Sequence, residues 1–304
     1  MRRILFGSRG STLALAQTNL VIALLKKQTP TLQYRVVPIK TRGDTIHEKA
    51  GATVDNKSLF TKEIEDALLK VEVDVAVHSM KDLTTELPDG LAITAVPERA
   101  DHRDALISRS KRKLGQLPGG AKMGTSSPRR KTQLLAARSD LQIIDVHGNV
   151  DTRLRKLRNG ECDAIILAAA GLDRLGLERN VTELLSTEVM LPAVGQGALA
   201  IQSRENDDEM GALLRHIDHE PTRRAVEAER AFARRLGANC RTPIAAYART
   251  TGAKLTIEGL VSSLDGRKVM RGRIASDKPD ATKVGEELAD SLLKQGAQLV
   301  LEAQ

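Results

Sequence analysis

Over its first two-thirds the chain alternates short β-rich apolar runs with stretches of helical period, the order of α/β domains with largely parallel sheets. A strand is expected over 3–6, then a helix that Ser11 caps and that runs to about residue 27, short of Pro30. Residues 34–40 form the next expected strand and 61–70 an amphipathic helix. Strands over 73–78 and 91–96 flank a loop that carries Lys81 and Asp82. A second unit opens near residue 103, with strands over 121–124, 141–146 and 163–168 and helices over 127–138 and 151–159. Pro192-Ala193-Val194-Gly195-Gln196-Gly197 reads as a crossing segment whose glycines suit a hinge or a close backbone approach. The last third changes character. A long helix over 221–236 has Pro at its first turn and Gly237 past its end. A hairpin then pairs 254–262 with 268–275 across Asp265-Gly266, and a helix from about 279 completes a small α+β domain.

Composition narrows the functional classes. The 304 residues are enough for two or three cores. No apolar run reaches membrane-spanning length, and the N-terminus lacks the long apolar stretch of a signal peptide, so a cytoplasmic protein without a membrane partner is expected. Two cysteines exclude a disulfide framework and a four-cysteine zinc site. Cys162 opens an apolar strand-like run and reads as a core residue, whereas Cys240 sits among polar residues after a helix. The net charge of +8 calls for either an anionic partner or a solvated basic surface. Nucleic acid is disfavoured, because aromatics make up 2% of the chain and there is no tryptophan for stacking.

Position favours a ligand. Ser126-Ser127-Pro128-Arg129-Arg130 places two hydroxyls and two arginines at a helix N-terminus, where free N–H groups and the dipole attract an anion. Arg9 and Ser11, Lys81, and Arg153 lie at or near other strand ends, and in open α/β sheets ligands bind at the carboxyl ends of strands. Several separated cationic groups suit a ligand with several carboxylates and a cleft between two lobes, and no phosphate-loop or dinucleotide fingerprint competes. Asp82 is the one acid amid this lining. Taken alone, it reads better as a loop cap than as a catalytic acid, and Cys240 alone reads better as an unreactive thiol. His216 and His219 lack a third ligand, so no metal is expected.

In this order, Thr41-Arg42-Gly43-Asp44, Lys57-Ser58-Leu59-Phe60-Thr61-Lys62-Glu63, Val77-His78-Ser79-Met80-Lys81-Asp82, Gly124-Thr125-Ser126-Ser127, Gly148-Asn149-Val150, Leu191-Pro192-Ala193-Val194-Gly195-Gln196-Gly197, and Cys240 followed by Pro243 resemble the porphobilinogen deaminase (hydroxymethylbilane synthase) family over essentially the whole chain. The resemblance implies an α/β fold of two periplasmic-binding-protein-like lobes with a smaller C-terminal α+β domain. Its domains would be 1–97 plus 198–215, 103–191, and 220–304. It implies a monomeric transferase of tetrapyrrole biosynthesis that condenses four porphobilinogen molecules, with loss of ammonia, into hydroxymethylbilane. The chain would grow on a dipyrromethane cofactor bound covalently at Cys240. By the same resemblance, Asp82 contacts pyrrole N–H groups and stabilises the cation formed as ammonia leaves. Ser79, Lys81, Asp82, Thr125, Ser127, Arg129, Arg130 and Arg153 would bind the cofactor. Arg9, Ser11, Gln17, His147, Arg153 and Arg174 would face substrate, and Lys57 and Phe60 would belong to a mobile loop.

Four departures from the family pattern stand out. His147 replaces the usual arginine before Gly148-Asn149, and imidazole is only partly charged near neutrality, which weakens a carboxylate contact or ties it to pH. Ala238-Asn239 replaces a glycine pair before the cysteine, Thr53 with Asp55-Asn56 alters the mobile loop, and Thr84 replaces a proline. None removes the acid or the cysteine. A two-lobed anion-binding protein, a nucleic-acid binder, and a family member impaired in chain elongation remain as alternatives.

Overall fold

The computed structural model describes residues 3–43, 60–239, 242–277 and 280–302. The chain begins with β1 (Arg3–Arg9), α1 (Thr12–Gln28), β2 (Gln33–Ile39), α2 (Lys62–Leu69), β3 (Val75–Ser79) and β4 (Leu91–Ala95). Next come β5 (Asp104–Ser108), β6 (Lys122–Gly124), α3 (Pro128–Ala137), β7 (Gln142–Ile144), α4 (Val150–Arg158), β8 (Ala164–Ala168), α5 (Ala169–Asp173) and β9 (Glu183–Leu184). The remainder is β10 (Leu199–Arg204), α6 (Asp208–Leu214), α7 (Glu220–Arg235), β11 (Ile244–Thr251), β12 (Lys254–Ser262), β13 (Val269–Ser276), α8 (Ala281–Lys294) and α9 (Ala297–Glu302). Two compact units result: Met1–Ala100 with Ala198–Arg223, and Asp101–Gly197 with Arg224–Gln304.

Each unit contains one five-stranded sheet, in the order β2-β1-β3-β10-β4 in the first and β7-β6-β8-β5-β9 in the second. These orders are one topology used twice. Three strands pair in parallel, with the first between the second and third, and an antiparallel strand then separates the third from the last. The antiparallel strand is in each case the one that follows a crossing between units: β5 after Ala100 and β10 after Gly197. Half of the pairings are therefore antiparallel, unlike the largely parallel sheets expected from the alternating pattern. Periodicity does not register the direction in which a strand enters its sheet. The two α/β lobes and the smaller α+β domain have the expected architecture.

The lobes bury both sheet faces. Ile4, Phe6, Val75 and Val77 pack with Val21 and Leu25 of α1 on one side, while Ala76 joins Ile64 and Leu68 of α2 on the other. In the second lobe, Leu106, Met123 and Ile166 meet Leu134 of α3, and Ile107, Ile165 and Leu167 meet Leu154 and Leu157 of α4. Cys162 is fully buried there, and burial pushes its thiol pKa up, so it is the core residue expected.

The antiparallel sheet β11-β12-β13 is backed by α7 and α8, with Ala225, Ala228 and Phe232 facing Val284, Leu288 and Leu292 at helical spacing. It packs into the second unit, and the Ser262 hydroxyl at the end of β12 donates to the Thr132 hydroxyl oxygen of α3 at 2.7 Å. Gly285 lets α8 approach α7 closely: a Cβ there would sit 2.1 Å from the backbone oxygen of Ala228. Gly285→Ala gains about 1 kcal/mol of helix propensity but forces a helix shift that costs about 1–3 kcal/mol. The variant should lower the thermal unfolding midpoint, and an unchanged midpoint would contradict this contact.

His78 is a polar group inside the first lobe. Its Nε2 lies 3.1 Å from Oε1 of the buried Gln202, and burial pushes its pKa from 6.5 down to about 4, with the Arg9 charge adding to the shift. The unfolded chain thus binds this proton more readily. The group's contribution is complete above pH 6.5 and is lost as pH falls toward 4, up to about 3 kcal/mol in all. Between pH 7 and 4.5 the denaturation midpoint should fall more steeply for the wild type than for His78→Phe, and parallel profiles would rule out a neutral buried imidazole.

Candidate active site

In the first lobe the expected residues gather at the carboxyl ends of β1 and β3. β1 ends at Arg9, and Ser11 caps α1, its Oγ accepting from the Ala14 N–H at 3.3 Å. The Arg9 guanidinium lies over the Phe60 ring, 4.1 Å from its centroid, and that ring also covers Gly43. β3 ends at Ser79, and the next three residues, Met80–Asp82, turn as a short 3-10 helix. Buried Met80 and Leu83 pin that turn, while the Lys81 and Asp82 side chains are exposed. The Met80 N–H donates to the Ala198 carbonyl at 3.0 Å. Gln17 is buried in α1, and its Nε2 donates to the Ser79 hydroxyl oxygen at 2.8 Å, which leaves that hydroxyl its own proton to give.

In the second lobe, Thr125 follows β6 directly and Ser127 caps α3, with Pro128 at its first turn as the sequence indicates. The Thr125 hydroxyl oxygen accepts from the Ser127 N–H at 3.2 Å, and Ser127 Oγ accepts from the Arg130 N–H at 3.4 Å. Past β7, the exposed His147 precedes Gly148 and Asn149, and Asn149 caps α4 through the Thr152 N–H at 2.9 Å. Arg153 is half-buried, its Nε donating to the Gly148 carbonyl at 2.8 Å. Arg174 follows α5 and donates from Nη2 to the Gly197 carbonyl at 2.7 Å. Its Nε is buried and has no hydrogen-bond partner among the described residues, and burial pushes its pKa down to about 10. Cys240 and Lys57 lie outside the described residues.

Arg129 and Arg130 are buried around Asp104, the first residue of β5, which is 0% exposed. Arg130 gives Nε and Nη2 to Asp104 Oδ1 at 2.9 and 2.7 Å and Nη1 to the Ile166 carbonyl at 3.0 Å. Arg129 gives Nη1 to Asp104 Oδ2 at 2.7 Å and to the Leu191 carbonyl at 2.8 Å. Among the described residues Arg129 has no partner for Nε or Nη2. One carboxylate thus serves two guanidiniums, and the cluster keeps an excess of positive charge. Removing the acid from such a cluster costs about 3–5 kcal/mol. Asp104 was not singled out from the sequence. It stands beside Arg103 at the head of an unremarkable apolar run, far in sequence from its partners.

In each lobe the polar groups at these positions are almost all donors: in the first, the Ser79 hydroxyl, the capped N-terminus of α1, and the cations Arg9 and Lys81; in the second, the Thr125 hydroxyl, the capped N-terminus of α3, and the cations Arg129, Arg153 and Arg174. Each set suits the carboxylates of an organic acid, so the residues present are compatible with a dipyrromethane bearing carboxylates. No group of three metal-ligating side chains occurs among the described residues.

Two family models match the chain: "Porphobilinogen deaminase, dipyromethane cofactor binding domain" over residues 4–212, and "Porphobilinogen deaminase, C-terminal domain" over 223–294. A porphobilinogen deaminase of Desulforudis audaxviator is 50% identical over 302 residues, covering 99% of this chain and 97% of that one. One of Syntrophus aciditrophicus is 48% identical over 296 residues, covering 97% of each. Among solved structures, the methionine binding protein MetQ is more distant, with TM-score 0.44 and 13% identity over 71% of this chain and 88% of that one. With both family models matched in order and relatives aligned over nearly the full length, the chain belongs to the porphobilinogen deaminase family.

Proposed function

We propose that the chain is a transferase that condenses four porphobilinogen molecules into hydroxymethylbilane, one ammonia leaving at each addition, on a dipyrromethane attached through Cys240. The observation that carries this reading is the placement of Asp82 and a donor set suited to carboxylates at strand carboxyl ends, in a chain of this family. When bound, the dipyrromethane supplies the pyrrole end to which the first unit is added.

Ser79, Lys81, Thr125, Ser127, Arg129, Arg130 and Arg153 hold its carboxylates in this reading, and Asp82 faces its pyrrole N–H groups. Arg129 offers its unspent N–H groups, while Arg130 contributes chiefly by fixing Asp104. Arg9, Ser11, His147, Arg153 and Arg174 receive the substrate's acetate and propionate, with the Arg174 Nε–H a ready donor. Gln17 belongs to the substrate side by the family pattern, and its bond to Ser79 supports a role in aiming that hydroxyl. Lys57 and Phe60 belong to a covering loop, with Phe60 against Arg9. The Asp82 carboxylate stabilises the positive charge that develops as ammonia departs, an electrostatic task that gains strength where water is excluded.

The three domains of this reading are 1–97 plus 198–215, 103–191, and 220–304. The protein works as a cytoplasmic monomer without nucleic-acid or membrane partners, and no described helix is long and apolar enough to cross a membrane. The +8 charge is then consistent with a polyanionic ligand.

Intact mass spectrometry of protein made in porphobilinogen-synthesising cells should show a dipyrromethane adduct that Cys240→Ala abolishes; an unmodified wild type would overturn the reading. Asp82→Asn should keep the fold and the adduct yet lose about 10²-fold or more in turnover, the scale of removing one preorganised electrostatic group. Near-normal turnover would remove Asp82 from its role.

A further inference from the structure

Gln202 lies on β10 and is fully buried, and it links α2 to β3 through Glu65 and His78, two residues to which the proposed reaction gives no role. Its Nε2 donates to Oε1 of Glu65 on α2 at 3.1 Å, and Glu65 is itself 3% exposed. With the amide nitrogen so committed, Gln202 presents its Oε1 to His78, 3.1 Å away, and this oxygen accepts the Nε2–H of a neutral imidazole. The line has a fixed direction, from His78 through Gln202 to the Glu65 carboxylate. In a low-dielectric interior such a chain is strengthened by its own polarisation and tolerates few alternative geometries.

Its location gives it a consequence. His78 immediately precedes Ser79 on β3, and successive strand side chains point to opposite faces. Gln17 of α1 grips Ser79 from one face, and the Glu65–Gln202 pair grips His78 from the other. The backbone then turns at once through Met80–Asp82, so the direction of the Asp82 side chain follows from how the end of β3 is held. An apolar trio could fill the same space, but it would not fix the rotation of the strand end as a directed hydrogen-bonded line does.

We propose that Glu65, Gln202 and His78 form a positioning array that aims Asp82 at the reacting centre, an inference that rests on the role given to Asp82 above. His78→Phe keeps a planar ring without the N–H, Glu65→Leu removes the terminal acceptor, and Glu65→Gln restores an acceptor oxygen. The test measures kcat and KM for porphobilinogen, adduct mass and thermal midpoint in wild type and all three variants. Misplacement by a fraction of an ångström predicts a kcat loss of about tenfold or more for His78→Phe and Glu65→Leu, with KM within about twofold and the adduct intact; Glu65→Gln should recover most of the rate.

Wild-type kcat in both disruptive variants would overturn the array, as would a loss that merely tracks the folded, adduct-bearing fraction. Should His78→Phe fail to fold, the Glu65 pair decides: a slow Leu variant rescued by Gln supports the array, and equal rates in the two refute it. A wild type with neither adduct nor turnover instead refutes the functional reading, and this inference with it.

Discussion

Each five-stranded sheet of this protein is incomplete until a strand arrives from a crossing. β5 enters the second sheet just after Ala100, β10 enters the first just after Gly197, and both run antiparallel to their neighbours on either side. Without β10, the edge left between β3 and β4 would expose unpaired backbone groups and an apolar face, so the first sheet closes only after the chain returns from the second unit, whereas all five strands of the second sheet lie within Asp101–Gly197. The strand after each crossing is therefore part of a core. The Asp104 cluster and the Met80 turn, beside the candidate site, inherit their positions from strands buried on both faces.

That constraint explains where the costly polar groups are. Asp104 stands at the first residue of β5, where a carboxylate without partners would be expelled from the interior, and two guanidiniums from α3 meet it there. The same α3 holds the Leu191 segment through Arg129 and Gln133, with the Leu191 N–H donating to Gln133 Oε1 at 2.7 Å. In the first lobe Gln202 of β10 has the corresponding place, linking the incoming strand to α2 and β3. Each crossing strand is thus fastened by a buried polar residue to the elements beside the candidate site.

The element pattern was largely legible. Ser11, Ser127 with Pro128, and Gly160 signal helix limits through backbone chemistry that acts over four residues, and the helices begin and end close to those positions. The strands β5, β9, β10 and β11 were not anticipated. β5 and β10 are short runs buried on both faces and carry no alternation, while β9 is only two residues long. The hairpin was anticipated from the Asp265-Gly266 turn signal, and the structure accounts for it: Gly266 adopts a positive φ of 72° that favours glycine at the tip.

Local sequence determined which residues could act: hydroxyls and arginines at helix starts, one acid among cations, and an ordered series of motifs that identifies the family. It did so because capping, charge and strand ends are properties of neighbouring residues. Only the tertiary structure decided how those residues are spent. Arg129 and Arg130 look equivalent in sequence, yet Arg130 commits all three of its nitrogens to protein acceptors while two of Arg129's have no partner among the described residues. His78 looks like one more member of a motif, yet it is a buried neutral group held by Gln202, 124 positions away in sequence. Hydrogen bonds in a packed interior are chosen by proximity in space, and a sequence states that proximity only after the sheet has closed.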